Sequence, residues 1–244
     1  MFSRSHLLPL TMGVVLASSA LAIDLTPKPD GSVLPASPKS VIPAPPPDGT
    51  AVPKPPAAPP EAAWRALFDG KSIDGWKVTE FGGRGEVTVE DGTIVLGAGN
   101  DITGVTYPSE LAKMNYEVEL EAKRITGGDF FCGLTFPVGE AHCTFVVGGW
   151  GGTLVGISSV DGQDASENST SQSMKFEPNR WYKIRVRVTP AKLEAWIDDA
   201  QMVNLELADR KISMRHGEIE LSEPFGIASF RTRAALKGIK IRKL

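Results

Sequence analysis

Residues 115–122 have the sequence NYEVELEA, in which polar and apolar side chains alternate without interruption. A period of two is the pattern of a β-strand that buries one of its two faces. Residues 181–188, WYKIRVRV, alternate in the same way, and residues 192–197, KLEAWI, follow after a short turn. These three segments predict antiparallel strands, and the last two predict a hairpin.

The same alternation extends through most of residues 86–244, interrupted by Gly, Asp-Gly or Pro. Asp91-Gly92 predicts a type I′ turn between short strands at 87–89 and 93–96. Further strands are predicted at 130–136, 142–148, 153–157, 202–207, 226–231 and 237–243. About ten short strands with no competing helical stripe predict an all-β fold of two packed antiparallel sheets, a β-sandwich or jelly roll. A ligand is expected on the concave face of one sheet.

The first sixty residues differ in composition from the rest of the chain. Residues 1–22 join Arg4 to an apolar run at 7–16 and end in Ala20-Leu21-Ala22, which predicts a signal peptide cut after Ala22. The 13 prolines among residues 26–60 predict an extended linker over 23–62, acting as a stalk or as a ligand for proline-binding modules. The expected localisation is therefore periplasmic, cell-surface or secreted. Residues 63–244 suffice for one domain with a sizeable core.

Charge and hydropathy exclude two classes of partner. The net charge is −3 and no long basic run is present, so nucleic acid is not an expected partner. The apolar run at 7–16 is shorter than the ~20 residues that a membrane-spanning helix needs, so no transmembrane segment is expected after removal of the signal.

Residues 67–76, LFDGKSIDGW, resemble the start of the 3-keto-disaccharide hydrolase domain family, which reads Leu-Phe-Asp-Gly-Lys-x-Leu-Asp-Gly-Trp. The resemblance continues through YEVELEAK, NRWYKIRVRV and LEAWIDD, and it covers residues 64–244. It implies a jelly roll of the concanavalin A-like lectin/glucanase type and cleavage of the glycosidic bond of 3-keto-glycosides. Leu67, Phe68 and Trp76 are predicted to anchor the first strand to the core, with the Asp-Gly pairs in tight turns.

Three glutamates, Glu117, Glu119 and Glu121, share one face of the predicted strand 115–122. Successive members lie ~6.6 Å apart along a strand, so only neighbours could act as a carboxylate pair. A solvated polar face is the alternative interpretation. Glu117 and Glu121 match glutamates of the family, so the resemblance implies Glu121 as a catalytic acid or base and Glu117 as a substrate contact.

The hairpin predicted around Pro137-Val138 places Cys132 opposite Cys143 on one face. A cross-strand disulfide is one interpretation for an exported chain, and buried free thiols are the other.

The opposite face of that hairpin is predicted to carry candidate ligand-binding residues. His142 is a candidate proton acceptor or donor, with Asp129 at the start of the hairpin as a third catalytic candidate and Phe131 and Thr144 as substrate contacts. Trp150, in the sequence GGWGG, could stack on a sugar ring or fill the core. A half-buried surface histidine is the alternative for His142.

The loop DGQDASEN at 161–168 collects hard oxygen donors in Asp161, Asp164 and Glu167. These residues could hold a divalent cation such as Ca²⁺, although the spacing matches no fixed loop motif. No other cofactor is expected.

Two functions follow from these observations. In the first, the resemblance implies that a base removes the C2 proton of a 3-keto sugar, the glycosidic oxygen leaves C1, and water then adds. In the second, the domain binds carbohydrate without catalysis. The central segments GDFFCGLTF and HCTFVVGGW favour the second, because apolar residues and glycine replace most of the polar residues that the family carries there. A purely structural role is a third interpretation.

Overall fold

The computed structural model describes residues 62–244. The predicted signal peptide and all but the last residue of the predicted linker lie outside the described residues. Within the described part, fifteen strands and one short 3₁₀ helix follow in the order β1 (Arg65–Ala66), β2 (Lys77–Val78), β3 (Val87–Glu90), β4 (Thr93–Leu96), β5 (Ile102–Thr106), β6 (Tyr116–Thr126), β7 (Cys132–Val138), β8 (Ala141–Gly149), β9 (Leu154–Ser158), β10 (Gln172–Ser173), β11 (Tyr182–Val188), β12 (Lys192–Ile197), β13 (Ala200–Glu206), η1 (Glu218–Ser222), β14 (Gly226–Phe230) and β15 (Arg233–Lys243).

The strands form two antiparallel sheets that pack as a sandwich. Sheet A has the order β13-β12-β11-β6-β15-β4-β3, with β1 added beside β15. Sheet B has the order β10-β9-β8-β7-β14-β5-β2. A single large cluster of buried apolar side chains contributed by both sheets forms the main core. The predicted all-β, two-sheet fold is confirmed.

The predicted strands from 87 to 243 are all present, and the hairpin turn at Asp91-Gly92 is confirmed. The φ angles of Asp91 and Gly92 are 47° and 75°, both positive as a type I′ turn requires. Strand β5 was not predicted, because its sequence ITGVT does not alternate. The strand is largely buried on both faces, which removes the need for alternation.

The family-like segment 67–76 anchors the first strand. Leu67, Phe68 and Trp76 are buried, and the Trp76 indole N–H donates to the Leu67 carbonyl at 2.8 Å. The Asp69 carboxylate accepts hydrogen bonds from the backbone N–H groups of Ser72 and Lys71, which lower its pKa. The anchoring role predicted for this segment is confirmed.

Of the two interpretations of the cysteines, the structure agrees with buried free thiols and not with a disulfide, because the turn of the β7–β8 hairpin lies two residues later than predicted. Val138 pairs with Ala141, so Cys132 faces Val147 and Cys143 faces Phe136. The two cysteines still share the core face, but they lie about 13 Å apart along the strands. Both are free and fully buried.

We therefore expect two thiols to be labelled when the protein is denatured without reductant. Burial raises the pKa of both thiols above the usual range, so the native protein should resist labelling at pH 8. Mass spectrometry after alkylation checks both statements, and failure to label the denatured, unreduced chain would show that the cysteines are bridged.

Among residues 62–244, no helix has the length and hydropathy needed to cross a membrane.

Candidate functional site

A cleft of about 370 Å³ lies on the outer face of sheet B, away from sheet A. Its floor comes from strands that the sandwich brings side by side. Ile102 of β5 and Thr144 and Val146 of β8 line it, and Ser158 of β9 lies at one side. The floor is therefore mainly apolar, with hydroxyl groups at its β8–β9 side.

Two phenylalanines give the cleft an aromatic wall. The rings of Phe130 and Phe230 stack with centroids 5.9 Å apart. Phe130 lies against the sheet because residue 133 is glycine, where a Cβ atom would come within 3.1 Å of the ring. This packing orients the Phe130 ring toward the cleft.

Residues 211–223, here called the cover segment, lie over one side of the cleft. The segment is attached to the sheet by reciprocal backbone hydrogen bonds between Ser213 and Ser159. Its other end is held by Glu218, whose carboxylate accepts from the Gly82 backbone N–H at 3.2 and 3.3 Å. Ile219 packs in a small apolar cluster with Phe81 and Ala228, so the segment has its own buried contacts.

Trp150 forms part of the cleft rim, beside Arg215 of the cover segment. It is 44% exposed, and its φ of 48° lies in the left-handed region. The Arg215 guanidinium of the cover segment lies 5.4 Å from the indole centroid. A large exposed indole at a cleft rim offers a flat surface for an apolar ring face.

The Asp129 side chain is hydrogen-bonded to two backbone segments that border the cleft. Its carboxylate accepts from the Phe130 backbone N–H at 2.8 Å and from the Gly151 backbone N–H at 3.2 Å. Asp129 thus ties the start of β7 to the loop that carries Trp150.

Arg124 supports the same loop from inside the sandwich. Only 7% of it is exposed, and its guanidinium donates to the backbone carbonyls of Asp129, Gly148 and Gly152 at 3.0–3.2 Å. Burial lowers the pKa of this guanidinium, and the nearby Asp129 charge opposes that shift. Gly148 is required beside it, since a Cβ atom there would lie 2.6 Å from the guanidinium.

The charged side chains at the cleft come mainly from the cover segment. Arg215 pairs with Asp164, which also accepts from the Ser158 hydroxyl and from the Ala165 backbone N–H. The His216 side chain is fully exposed, with its Nδ1 atom 3.5 Å from a carboxylate oxygen of Glu220. The cleft thus combines an aromatic wall with one imidazole, one guanidinium and the carboxylates of Asp129 and Glu218.

The three predicted catalytic residues are not brought together. Asp129 lines the cleft, but Glu121 lies on β6 in sheet A, on the outer face beyond the core. There it pairs with Lys237 at 3.3 Å. His142 lies on the same face of β8 as Thr144 but outside the cleft lining, with Nδ1 3.5 Å from Glu223.

The predicted substrate contacts divide in the same way. Trp150 and Thr144 line the cleft, and their contact with substrate stays a prediction. The prediction for Phe131 is wrong, because its ring is fully buried against Phe176 at a centroid distance of 5.1 Å, and its neighbour Phe130 takes the outward position. Glu117, like Glu121, lies on the outer face of sheet A.

Glu117 is the centre of an ion cluster. Its carboxylate is fully buried and pairs with Arg185, Arg187 and Arg242. Burial alone would raise its pKa, but the hydrogen bond from Arg242 and the three positive charges outweigh that effect and lower it. The carboxylate therefore stabilises sheet A instead of contacting a ligand in the cleft.

The structure does not gather the predicted metal ligands. Asp161 pairs with Arg210 at 2.7 Å and Asp164 pairs with Arg215, so two of the three predicted ligands are occupied by ion pairs. Among residues 62–244, no group of three or more His, Cys, Asp and Glu is arranged to hold a metal ion. The arginines supply the positive charge that a cation would have supplied.

Sequence reasoning missed the cover segment, including Arg215, His216 and Ile219. It lies between the predicted strands 202–207 and 226–231, where no element is predicted. The apolar residues Ile212, Met214 and Ile219 within it were the available signal, because a solvated loop does not need three of them.

The fold and the cleft define a β-sandwich protein with an aromatic cleft on the outer face of one sheet. The chain belongs to the 3-keto-alpha-glucoside-1,2-lyase-like domain family, which residues 63–242 match. The resemblance noted at residues 67–76 is thereby confirmed. No curated protein sequence matches the chain significantly.

Several solved structures resemble this one in fold. The carbohydrate-binding module CBM66 from Bacillus subtilis is 12% identical, with a TM-score of 0.46, and the match covers 69% of this chain and 96% of that one. Domain 4 of the arabinanase AbnA from Geobacillus stearothermophilus, solved with arabinotriose, is 15% identical, with a TM-score of 0.46 and coverage of 69% and 82%. A structure from work on endo-acting O-glycanases of the human gut microbiota is 14% identical, with a TM-score of 0.49 and coverage of 75% and 99%. At TM-scores below 0.5, these similarities say nothing about the activity of this chain.

Proposed function

We propose that the cleft on sheet B binds a carbohydrate and that this binding is the function of the domain. The observation that carries the proposal is the exposed indole of Trp150 at the rim of a cleft whose wall is the Phe130–Phe230 pair. Aromatic faces pack against the C–H faces of sugar rings, and the nearby hydroxyl and charged groups can bond to sugar hydroxyls. Membership of a family named for a glucoside lyase supports the same ligand class.

Replacing Trp150 by alanine should weaken binding of neutral gluco-oligosaccharides at least about tenfold, because the largest exposed apolar surface of the cleft is lost. Titration calorimetry on the full chain measures the effect. Trp181→Ala is the matched control, since Trp181 lies beside Lys123 and Lys237 on sheet A. Equal affinities of wild type and Trp150→Ala would contradict the proposal.

A second candidate, cleavage of 3-keto-glycosides, is favoured by the family match. A base would take the C2 proton, the C1–oxygen bond would break with protonation of the leaving oxygen, and water would then add to the C1=C2 enone. Of the groups that line the cleft, the His216 imidazole is exposed to solvent and can accept a proton, so it is the proposed base. Asp129 already accepts two backbone hydrogen bonds and serves mainly to shape the site.

Release of glucose from 3-keto-trehalose tests this candidate. If the chain is catalytic, His216→Ala should lower the rate by ~10² or more, the usual contribution of a positioned base. Glu121→Gln should leave the rate unchanged, because Glu121 lies on the other sheet. If binding occurs without turnover at any pH between about 5 and 8, the chain is a binding module.

Export is part of the proposal. The predicted signal sequence, residues 1–22, would place the domain outside the cytoplasm, with the Pro-rich segment as its spacer. The mature chain would then begin at Ile23, and N-terminal sequencing that found Met1 retained would contradict export.

A further inference from the structure

The outer face of sheet A carries charges in three ordered rows. In each row a glutamate of β6 lies between a cation of β11 and a cation of β15, according to the Cα pairing of the three strands. The rows are Arg187–Glu117–Arg242, Arg185–Glu119–Lys240 and Lys183–Glu121–Lys237.

These rows concentrate positive charge on one face. They contain six cations and three carboxylates, a net charge of +3, in a chain whose net charge is −3. Glu117 alone is shared by three guanidiniums at N–O distances of up to 3.0 Å. Together the rows carry three more cations than carboxylates, which gives this face a positive charge that can attract an external anion.

The cations are also held in place. Arg185 lies 4.0 Å from the centroid of Trp196, Lys237 lies 4.4 Å from Trp181, and Arg242 lies 4.6 Å from Trp64. A long side chain fixed by both an aromatic ring and a carboxylate has little rotamer freedom left to lose when a ligand binds. This preorganisation distinguishes the face from a set of mobile surface lysines.

The geometry matches a linear ligand. Successive cations on β11, and on β15 away from its bulge, lie ~6.6 Å apart along the strand, and the two lines of cations are separated by one intervening strand, about 9.5 Å. A linear chain carrying anionic groups and lying along the strands would meet several of these cations. Carboxylates suit this face, since Glu117 and Glu119 already show how its guanidinium and ammonium groups hold them.

We infer that the outer face of sheet A binds a linear polysaccharide bearing carboxylate groups. The carbohydrate class follows from the family, and the carboxylate follows from the charge rows. This site is separate from the cleft, because the core of the sandwich lies between the two outer faces. Its existence does not depend on the proposed function of the cleft.

Binding of polygalacturonate to the full chain tests this inference. The double variant Lys183→Gln/Lys237→Gln should bind about tenfold more weakly than wild type at low salt and show a smaller loss of affinity as salt rises. Both lysines are partly exposed, so the fold should persist. The matched control Lys71→Gln/Lys175→Gln removes the same charge from exposed positions outside the rows and should bind like wild type.

Three outcomes would overturn the inference. They are no binding of polygalacturonate at low salt, equal weakening by both double variants, and binding of duplex DNA as tightly as polygalacturonate. The indole N–H signals in an NMR titration add a test that needs no variant: those of Trp64, Trp181 and Trp196 should shift. A shift of Trp150 alone would place the acidic glycan in the cleft, which would refute this site and leave carbohydrate binding by the cleft intact.

Discussion

Replacing Arg124 by methionine should lower the free energy of unfolding by about 3 kcal/mol, the largest loss that we expect from a single substitution near the cleft. Methionine keeps much of the apolar contact with Phe131 and Phe176 but donates no hydrogen bonds. The carbonyls of Gly148 and Gly152 then lose the donor that Arg124 supplies inside the sandwich. The methionine variant no longer buries a cation, and this gain offsets part of the cost.

The substitution should also change the position of the Trp150 ring, because Arg124 holds the backbone on both sides of that residue. Denaturant unfolding measures the stability, and near-ultraviolet circular dichroism at low denaturant reports the indole environment. Arg233→Met is the control: Arg233 is exposed and pairs with Glu90 at 3.6 Å, so its loss should cost less than about 1 kcal/mol. Equal costs for the two variants would show that the Arg124 bonds contribute little.

Replacing Glu117 by glutamine should lower the free energy of unfolding at pH 7 by about 3 kcal/mol. The change leaves Arg185, Arg187 and Arg242 close together without their shared negative charge. We expect the lower end of the range for broken buried pairs, because two of the three guanidiniums are about one-third exposed and are screened by solvent.

The pH dependence of stability should change with the same substitution. The folded-state pKa of Glu117 lies below its ordinary value of 4.5, so its stabilisation is fully present above pH 4.5 and is lost as the pH falls through the folded-state pKa. Glu117→Gln should therefore flatten the acid limb of a stability–pH curve measured by urea unfolding. Glu119 has a lowered pKa as well and should keep part of that limb. The control Glu121→Gln removes a partly exposed pair and should leave the curve nearly unchanged.

The sheets could be predicted from the sequence because each long strand buries one face and leaves the other in water. Strand β6 shows both the strength and the limit of that argument. Its alternation predicted the strand and the shared face of the three glutamates, but it could not indicate which of the two sheets carries the cleft. That choice depends on the pairing of β6 with β11 and β15, which are distant in the chain.

The candidate site was harder to predict because single residues of irregular segments decide it. The turn of the β7–β8 hairpin lies two residues later than predicted, which separates Cys132 from Cys143. The alternation of the strand breaks before β7, so Phe130 faces outward and Phe131 is buried. The burial of Arg124 could have been predicted, since it occupies a core-facing position two residues beyond Ala122. The cover segment could not be placed, because a segment between strands contacts sheet B only through its tertiary packing.

The five tryptophans offer one measurement that locates the ligand. Trp150 lies at the cleft, Trp76 is buried with its indole N–H bonded to Leu67, and Trp64, Trp181 and Trp196 lie on the outer face of sheet A. A ¹⁵N NMR titration of the full chain with a neutral 3-keto-glucoside follows all five indole N–H signals at once. Binding in the cleft predicts a saturable shift of the Trp150 signal, with the other four unchanged. Shifts confined to Trp64, Trp181 and Trp196, or no shift of Trp150 at millimolar ligand, would contradict it.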